Sequence, residues 1–201
     1  MDDTGFPKKI SLKSARIRSY FIEAAKEIIM RDGVENVSVR KVANLAGYSY
    51  ATIYNYFSDL NQLLQETKLC MIRDVIVYMG SVQGEKVSNL DEVKRINRMY
   101  ALYYLEHPHV FRFFYSYRLT NELKVTKHYF DYEASWHNTY QCLVTDGTIR
   151  EEDVSIVGKT IIYALHGLLA LFFSDNGLTH EALFSELDQL TGYLLKRRDS
   201  L

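Results

Sequence analysis

Ser38 and Ser49 are small hydroxyl residues placed just ahead of helical stretches, where a serine oxygen can accept a hydrogen bond from an amide one turn on. A helix start capped in this way carries exposed amides and a positive dipole end, which suits a phosphate. Five to seven residues past the second serine stand Tyr54, Asn55 and Tyr56, whose hydroxyl and amide groups suit a sugar-phosphate backbone. The patterns that would do covalent chemistry are incomplete. Gly158-Lys159-Thr160 resembles the end of a phosphate-binding loop, but the motif needs glycine where Asp153 stands. Glu106-x-x-His109 has the spacing of a di-iron ligand pair, yet such a site needs two pairs plus further carboxylates, and Pro108 interrupts the turn. Glu133 and His137 form a helical i, i+4 pair that reads as a surface contact. No catalytic residue, metal site or cofactor is expected.

The elements that must position the two serines follow from apolar spacing. Ile17, Phe21, Ala24, Ile28 and Ile29 recur at helical intervals up to Arg31-Asp32-Gly33, where glycine is a natural helix end. After a short link, Ser38 opens a second helix carrying Val39, Val42, Ala43 and Ala46 and stopping at Gly47. Ser49 opens a short third helix to about Phe57, and Ser58 or Asp59 a fourth running past Tyr78 to a break at Gly80 and Gly84. Helix, tight turn and short helix make a helix-turn-helix, whose second helix presents its first residues to the major groove of DNA. Val42, Leu45, Ile53 and Phe57 read as its core.

Beyond it, helices are expected from about Asn89 to Glu106, from Pro108 through Tyr117, over 123–144, from Val154 to Phe173 and over the Leu183, Leu187, Leu190, Leu194 seam. The fold class is all-α with about nine helices: an arm over 1–12, a DNA-binding domain over 13–58 and a larger helical domain over 59–201. Only 2 prolines and 10 glycines in 201 residues permit this.

Charge divides along the same line. Residues 1–57 hold nine basic and six acidic side chains, while the remainder holds 15 and 19, so a basic head sits on an acidic body. Cys70 and Cys142 lack C-x-x-C spacing and suit a reducing compartment. No unbroken apolar run approaches the roughly 20 residues of a membrane span, so no membrane partner and a cytoplasmic location are expected.

Residues 38–64, Ser-Val-Arg-Lys-Val-Ala-Asn-Leu-Ala-Gly-Tyr-Ser-Tyr-Ala-Thr-Ile-Tyr-Asn-Tyr-Phe-Ser-Asp-Leu-Asn-Gln-Leu-Leu, resemble the TetR (tetracycline-repressor-like) family of bacterial transcription regulators. The likeness covers roughly 14–66. It implies a sequence-specific regulator of a double-stranded DNA operator, usually a repressor released by a small-molecule effector. It implies that Arg40 enters the groove, where a guanidinium pairs with guanine O6 and N7, and that Tyr50, Ala51 and Thr52 face base edges. Leu60 departs from the family's common lysine there and removes one phosphate partner. Lys8, Lys9, Lys13 and Arg16 are the basic residues available to compensate. The departure keeps open a DNA-binding or interaction dimer without an inducer.

The body is rich in tyrosine and histidine, a composition that fits a pocket for a flat or apolar molecule as well as plain core packing. By helical phase Tyr103, Trp136, Tyr140 and His166 are the pocket candidates. The resemblance further implies a homodimer through the last two helices, about 150–197, packed as a four-helix bundle.

Overall fold

The computed structural model describes residues 12–83, 87–120, 132–175 and 177–196. Nine α-helices and two short 3₁₀ turns make up the regular structure of those residues, without a strand. Lys8 and Lys9, with the rest of 1–11, lie outside the described residues, as do 121–131 and the side chain of Trp136. The chain gathers into two compact units: one drawn from Met1–Ile72 and His109–Leu123, the other from Arg73–Pro108 and Lys124–Leu201.

In the first unit, α1 (Leu12–Asp32) starts five residues earlier than its first apolar repeat suggests and buries Phe21, Ala24, Ala25, Ile28 and Ile29. It ends at Gly33, whose φ of 90° lies in the region glycine favours. Next come α2 (Val39–Ala46) and α3 (Tyr50–Ile53), the latter shorter than expected because the chain continues through turns to Tyr56. Asp59 caps α4 (Leu60–Gln83): its Oδ1 accepts from the Gln62 amide at 2.7 Å, while Gln62 Oε1 accepts from the Ser58 amide at 2.6 Å. Gly80 does not end α4, which runs through it to Gln83.

Although far along the sequence, α6 (Pro108–Tyr115) belongs to the first unit. The His109 ring packs so closely on Gly33 that a Cβ there would lie 3.1 Å from Nδ1. At the other end, Lys68 Nζ donates to the Phe114 carbonyl at 3.0 Å, a cation placed at a helix C-terminus.

The second unit is built on α5 (Leu90–Glu106), α7 (Tyr132–Thr145), α8 (Val154–Phe173) and α9 (His180–Leu194). Asn89 and Thr179 cap α5 and α9 through side-chain oxygens. Val93, Ile96, Leu143, Val154, Ile161 and Leu195 form its apolar centre. Across it, Asn97 hydrogen-bonds the Tyr140 hydroxyl and donates to Thr191 Oγ1 at 3.4 Å, tying α5 to α7 and α9. By length and composition alone the helix Glu151–Phe173, containing α8, could cross a membrane, its most apolar 18 residues having a mean hydropathy of 1.8. Lys159 with Thr160, and His166, interrupt its apolar residues, so no unbroken apolar run reaches that length.

Candidate nucleic-acid interface

The geometry of the helix-turn-helix starts from its caps. Ser38, with φ −141° and ψ 153°, accepts from the Lys41 amide at 3.3 Å. Gly47 adopts φ 78° and ψ 27°, the left-handed turn a Cβ resists, and the following amide of Tyr48 reaches back to the Ala43 carbonyl at 2.9 Å. Ser49 then accepts from the Thr52 amide at 3.3 Å, and the Ser49 and Thr52 hydroxyls lie 2.8 Å apart. Two turns of chain are thus held by side-chain oxygens that the sequence places one residue ahead of each helix.

Packing fixes which face of α3 points outward. Ile53 and Val42 are fully buried and Phe57 nearly so. Phe21 holds the centre, with the Tyr48 ring 5.3 Å away, Tyr56 at 5.8 Å and Phe57 at 6.4 Å. Leu45 does not join this core. It is 43% exposed and lines a shallow groove of about 780 Å³ on α1 and α2, beside Met30 and Tyr20, because it sits one residue before the helix end on the outer side.

Arg40, Ser49, Tyr50, Ala51, Tyr54 and Asn55 are all exposed, Tyr50 by 58% and Tyr54 by 54%. Ser38, Thr52 and Tyr56 are half-buried. The Tyr56 ring faces Phe21 and its carbonyl accepts from Arg18, so its main engagement is with the core. No Asp or Glu stands between Glu35 and Asp59; the nearest acidic side chains on the groove beside Leu45 and Tyr48 are Glu23 and Glu27 of α1. Arg40 and Lys41 are exposed on the first turn of α2, and the Arg40 guanidinium carbon lies over the Tyr50 ring at 6.0 Å. Leu60 is half-buried at the start of α4, and Lys13 and Arg16 are exposed on the first turns of α1.

Sequence reading missed Arg18, which it counts only as a charge. Its guanidinium pairs with both oxygens of Glu66, donates to the Tyr56 carbonyl and covers the Phe57 ring at 4.4 Å. No local signal marks a partner 48 residues away; a lone arginine three positions before a buried phenylalanine is the only hint.

In the second unit, Tyr103 and His166 belong to one aromatic chain. Tyr103 packs at tilted and edge-on angles against Tyr78, Tyr104 and His107 with centroids 5.0, 5.3 and 4.8 Å away, Tyr104 meets Tyr100 at 5.1 Å, and the Tyr100 hydroxyl lies 3.0 Å from His166 Nε2. Burial pushes the His166 imidazole down to about 4, so it is neutral at pH 7. Tyr140 stands apart in the apolar centre, where burial raises its phenol despite the Asn97 hydrogen bond.

Residues 21–67 match the model of bacterial regulatory proteins of the tetR family. The HTH-type transcriptional regulator BetI of Ectopseudomonas mendocina is 32% identical over 84 residues, a match spanning 42% of this chain and 40% of that protein's length. Among solved structures, a tetR-family regulator from Streptomyces coelicolor superposes with a TM-score of 0.66 at 16% identity over 90% of this chain and 80% of its own. RolR in complex with resorcinol gives 0.61 at 17% identity over 94% and 97%. A TetR-family regulator from Haemophilus influenzae gives 0.64 at 15% over 92% and 98%. These similarities carry the fold along the chain, and residues 21–67 carry a helix-turn-helix segment similar to that of the tetR family of bacterial regulatory proteins.

Proposed function

We propose that the protein is a sequence-specific DNA-binding transcriptional regulator, working as a two-fold dimer and released from its operator by a small molecule held in the helical body. The observation that carries the DNA-binding part is the display of α3: capped by Ser49, anchored through Ile53 and Phe57, and exposed within a segment, 36–58, that carries no acidic residue. Arg40, Tyr50, Ala51 and Thr52 are assigned to base edges; Ser38, Ser49, Tyr54, Asn55 and Tyr56 to the backbone. One such helix binds weakly, and a dimer places two of them in successive major grooves.

Dimerisation is supported by α8 and α9. Ile156, Tyr163 and Leu171 project from α8, and Leu190 and Tyr193 from α9, with Tyr163 68% and Tyr193 79% exposed. Apolar side chains at these spacings, with Thr160, Gly167 and Ala170 exposed among them, suit a second copy of the same surface. The effector is assigned to the aromatic chain of Tyr103 and His166; Tyr140 and Trp136 complete the candidate set. RolR, of the same fold, is seen with resorcinol, a small phenol.

Fluorescence anisotropy on the duplex immediately upstream of the protein's own gene tests this reading against a scrambled duplex at two salt concentrations. Preference for the upstream duplex that persists at the higher salt supports it. Equal, salt-sensitive binding to both duplexes removes it.

A further inference from the structure

Six of the described arginines have a polar partner. Arg18 holds Glu66, Arg31 holds Asp32 and Glu27, Arg98 holds Asp188, and Arg150 holds Glu152 and Asp153. Arg16 donates to the Tyr20 hydroxyl and Arg95 to the Val82 carbonyl. Arg40 forms no salt bridge among the described residues, and its contact is with the Tyr50 ring, 6.0 Å from the guanidinium carbon to the centroid. The two residues stand on different helices, Arg40 in the first turn of α2 and Tyr50 at the first position of α3, and both are exposed.

Such a contact draws the cation toward the ring and uses none of its N–H donors. Those donors are the groups that pair with guanine O6 and N7, and pairing requires the guanidinium plane to be set. An exposed arginine otherwise samples many rotamers and loses that freedom on binding. An aromatic face within about 6 Å attracts the cation and restricts it before DNA arrives.

We propose that Tyr50 is a positioning residue for Arg40, so that the two helices of the motif read one G·C pair through a single pre-set guanidinium. The inference rests on the DNA-binding reading above. Its specific content is that the ring of Tyr50, not its hydroxyl, sets the preference for that pair. Any base or phosphate contact made by the Tyr50 hydroxyl itself would register elsewhere in the site.

The test is selection from a randomised duplex pool with the full-length protein, followed by affinity measurements on single-base variants of the selected site. Arg40→Ala locates the G·C pair that the guanidinium reads. Tyr50→Ala then lowers discrimination at that same pair by roughly five-fold, the size an exposed cation–π contact supports, and leaves the other positions as they were. Tyr50→Phe keeps wild-type discrimination, and the double variant discriminates no worse there than Arg40→Ala alone. The proposal is overturned if Tyr50→Phe behaves as Tyr50→Ala, if Tyr50→Ala weakens all positions equally, or if it spares the Arg40-dependent pair. A wild-type pool with no enriched sequence defeats the DNA-binding reading itself, and this proposal with it.

Discussion

Arg18 of α1 and Glu66 of α4 face each other as fork and carboxylate: Nε donates to Oε2 at 2.8 Å and the second terminal nitrogen to Oε1. The same guanidinium reaches the Tyr56 carbonyl and lies over Phe57, so one side chain joins the first helix, the turns that follow α3 and the helix α4 beyond them. Both partners are only about a quarter exposed, which lifts the pair above an ordinary surface bridge. Lysine offers a point charge where this site uses a planar fork. Arg18→Lys is therefore predicted to cost most of what Arg18→Ala costs, on the order of 1–3 kcal/mol. Urea denaturation measures it; a lysine variant as stable as wild type would show that the fork geometry contributes nothing.

Ser49 separates stability from DNA binding. Alanine removes the cap and costs about 1 kcal/mol, whereas aspartate caps as well as serine. On the DNA-binding reading, Ser49→Asp keeps its melting temperature but places a negative charge against phosphates, lowering operator affinity more than about tenfold. Calorimetry beside anisotropy checks both halves. Unchanged affinity in Ser49→Asp would move the nucleic acid away from the start of α3.

The exposed side chains of α8 and α9 predict the oligomeric state. Tyr163→Glu buries a charge in the proposed interface, where an unpaired ion costs several kcal/mol. Sedimentation should show a dimer for the wild type and monomer for the variant at micromolar concentration, with operator affinity falling in parallel. A variant that stays dimeric would place the interface elsewhere.

His166 sets a pH dependence. Its folded value of about 4 lies below the unfolded value of about 6.5, so between these the unfolded chain binds the extra proton. Stability contributed by the neutral ring is fully present above about 6.5 and is lost as pH falls toward 4. His166→Gln should flatten the melting-temperature profile over that window and change it little at pH 8. An equally steep profile in the variant would assign the acid sensitivity to other groups.

Much of this architecture was legible in residue types. Gly33 and Gly47 mark helix ends because each takes a positive φ, and Ser38, Ser49 and Asp59 mark starts because each side chain reaches an orphan amide. Gly80 misleads, since a glycine inside α4 costs only about 1 kcal/mol and the surrounding helix carries it. Periodicity finds Ile53 and Phe57 inside but misplaces Leu45, whose neighbour across the groove is set by tertiary packing. Partners distant in sequence leave no local trace: Arg18 finds Glu66, Lys68 finds Phe114, and His137 meets Glu151 at 3.0 Å, a partner that i, i+4 spacing does not suggest. Tyr103 and His166 fall in one aromatic chain and Tyr140 in another cluster, because helical phase gives a direction and not the neighbour that fills it.

The most direct test of the central claim is guanine-N7 methylation protection on the selected duplex, which reports occupancy of the major groove. Two α3 helices in a dimer predict two protected patches on one face of the duplex, centred about 34–36 Å or a multiple of that apart. A single patch, or binding that leaves every major-groove guanine reactive, would contradict it.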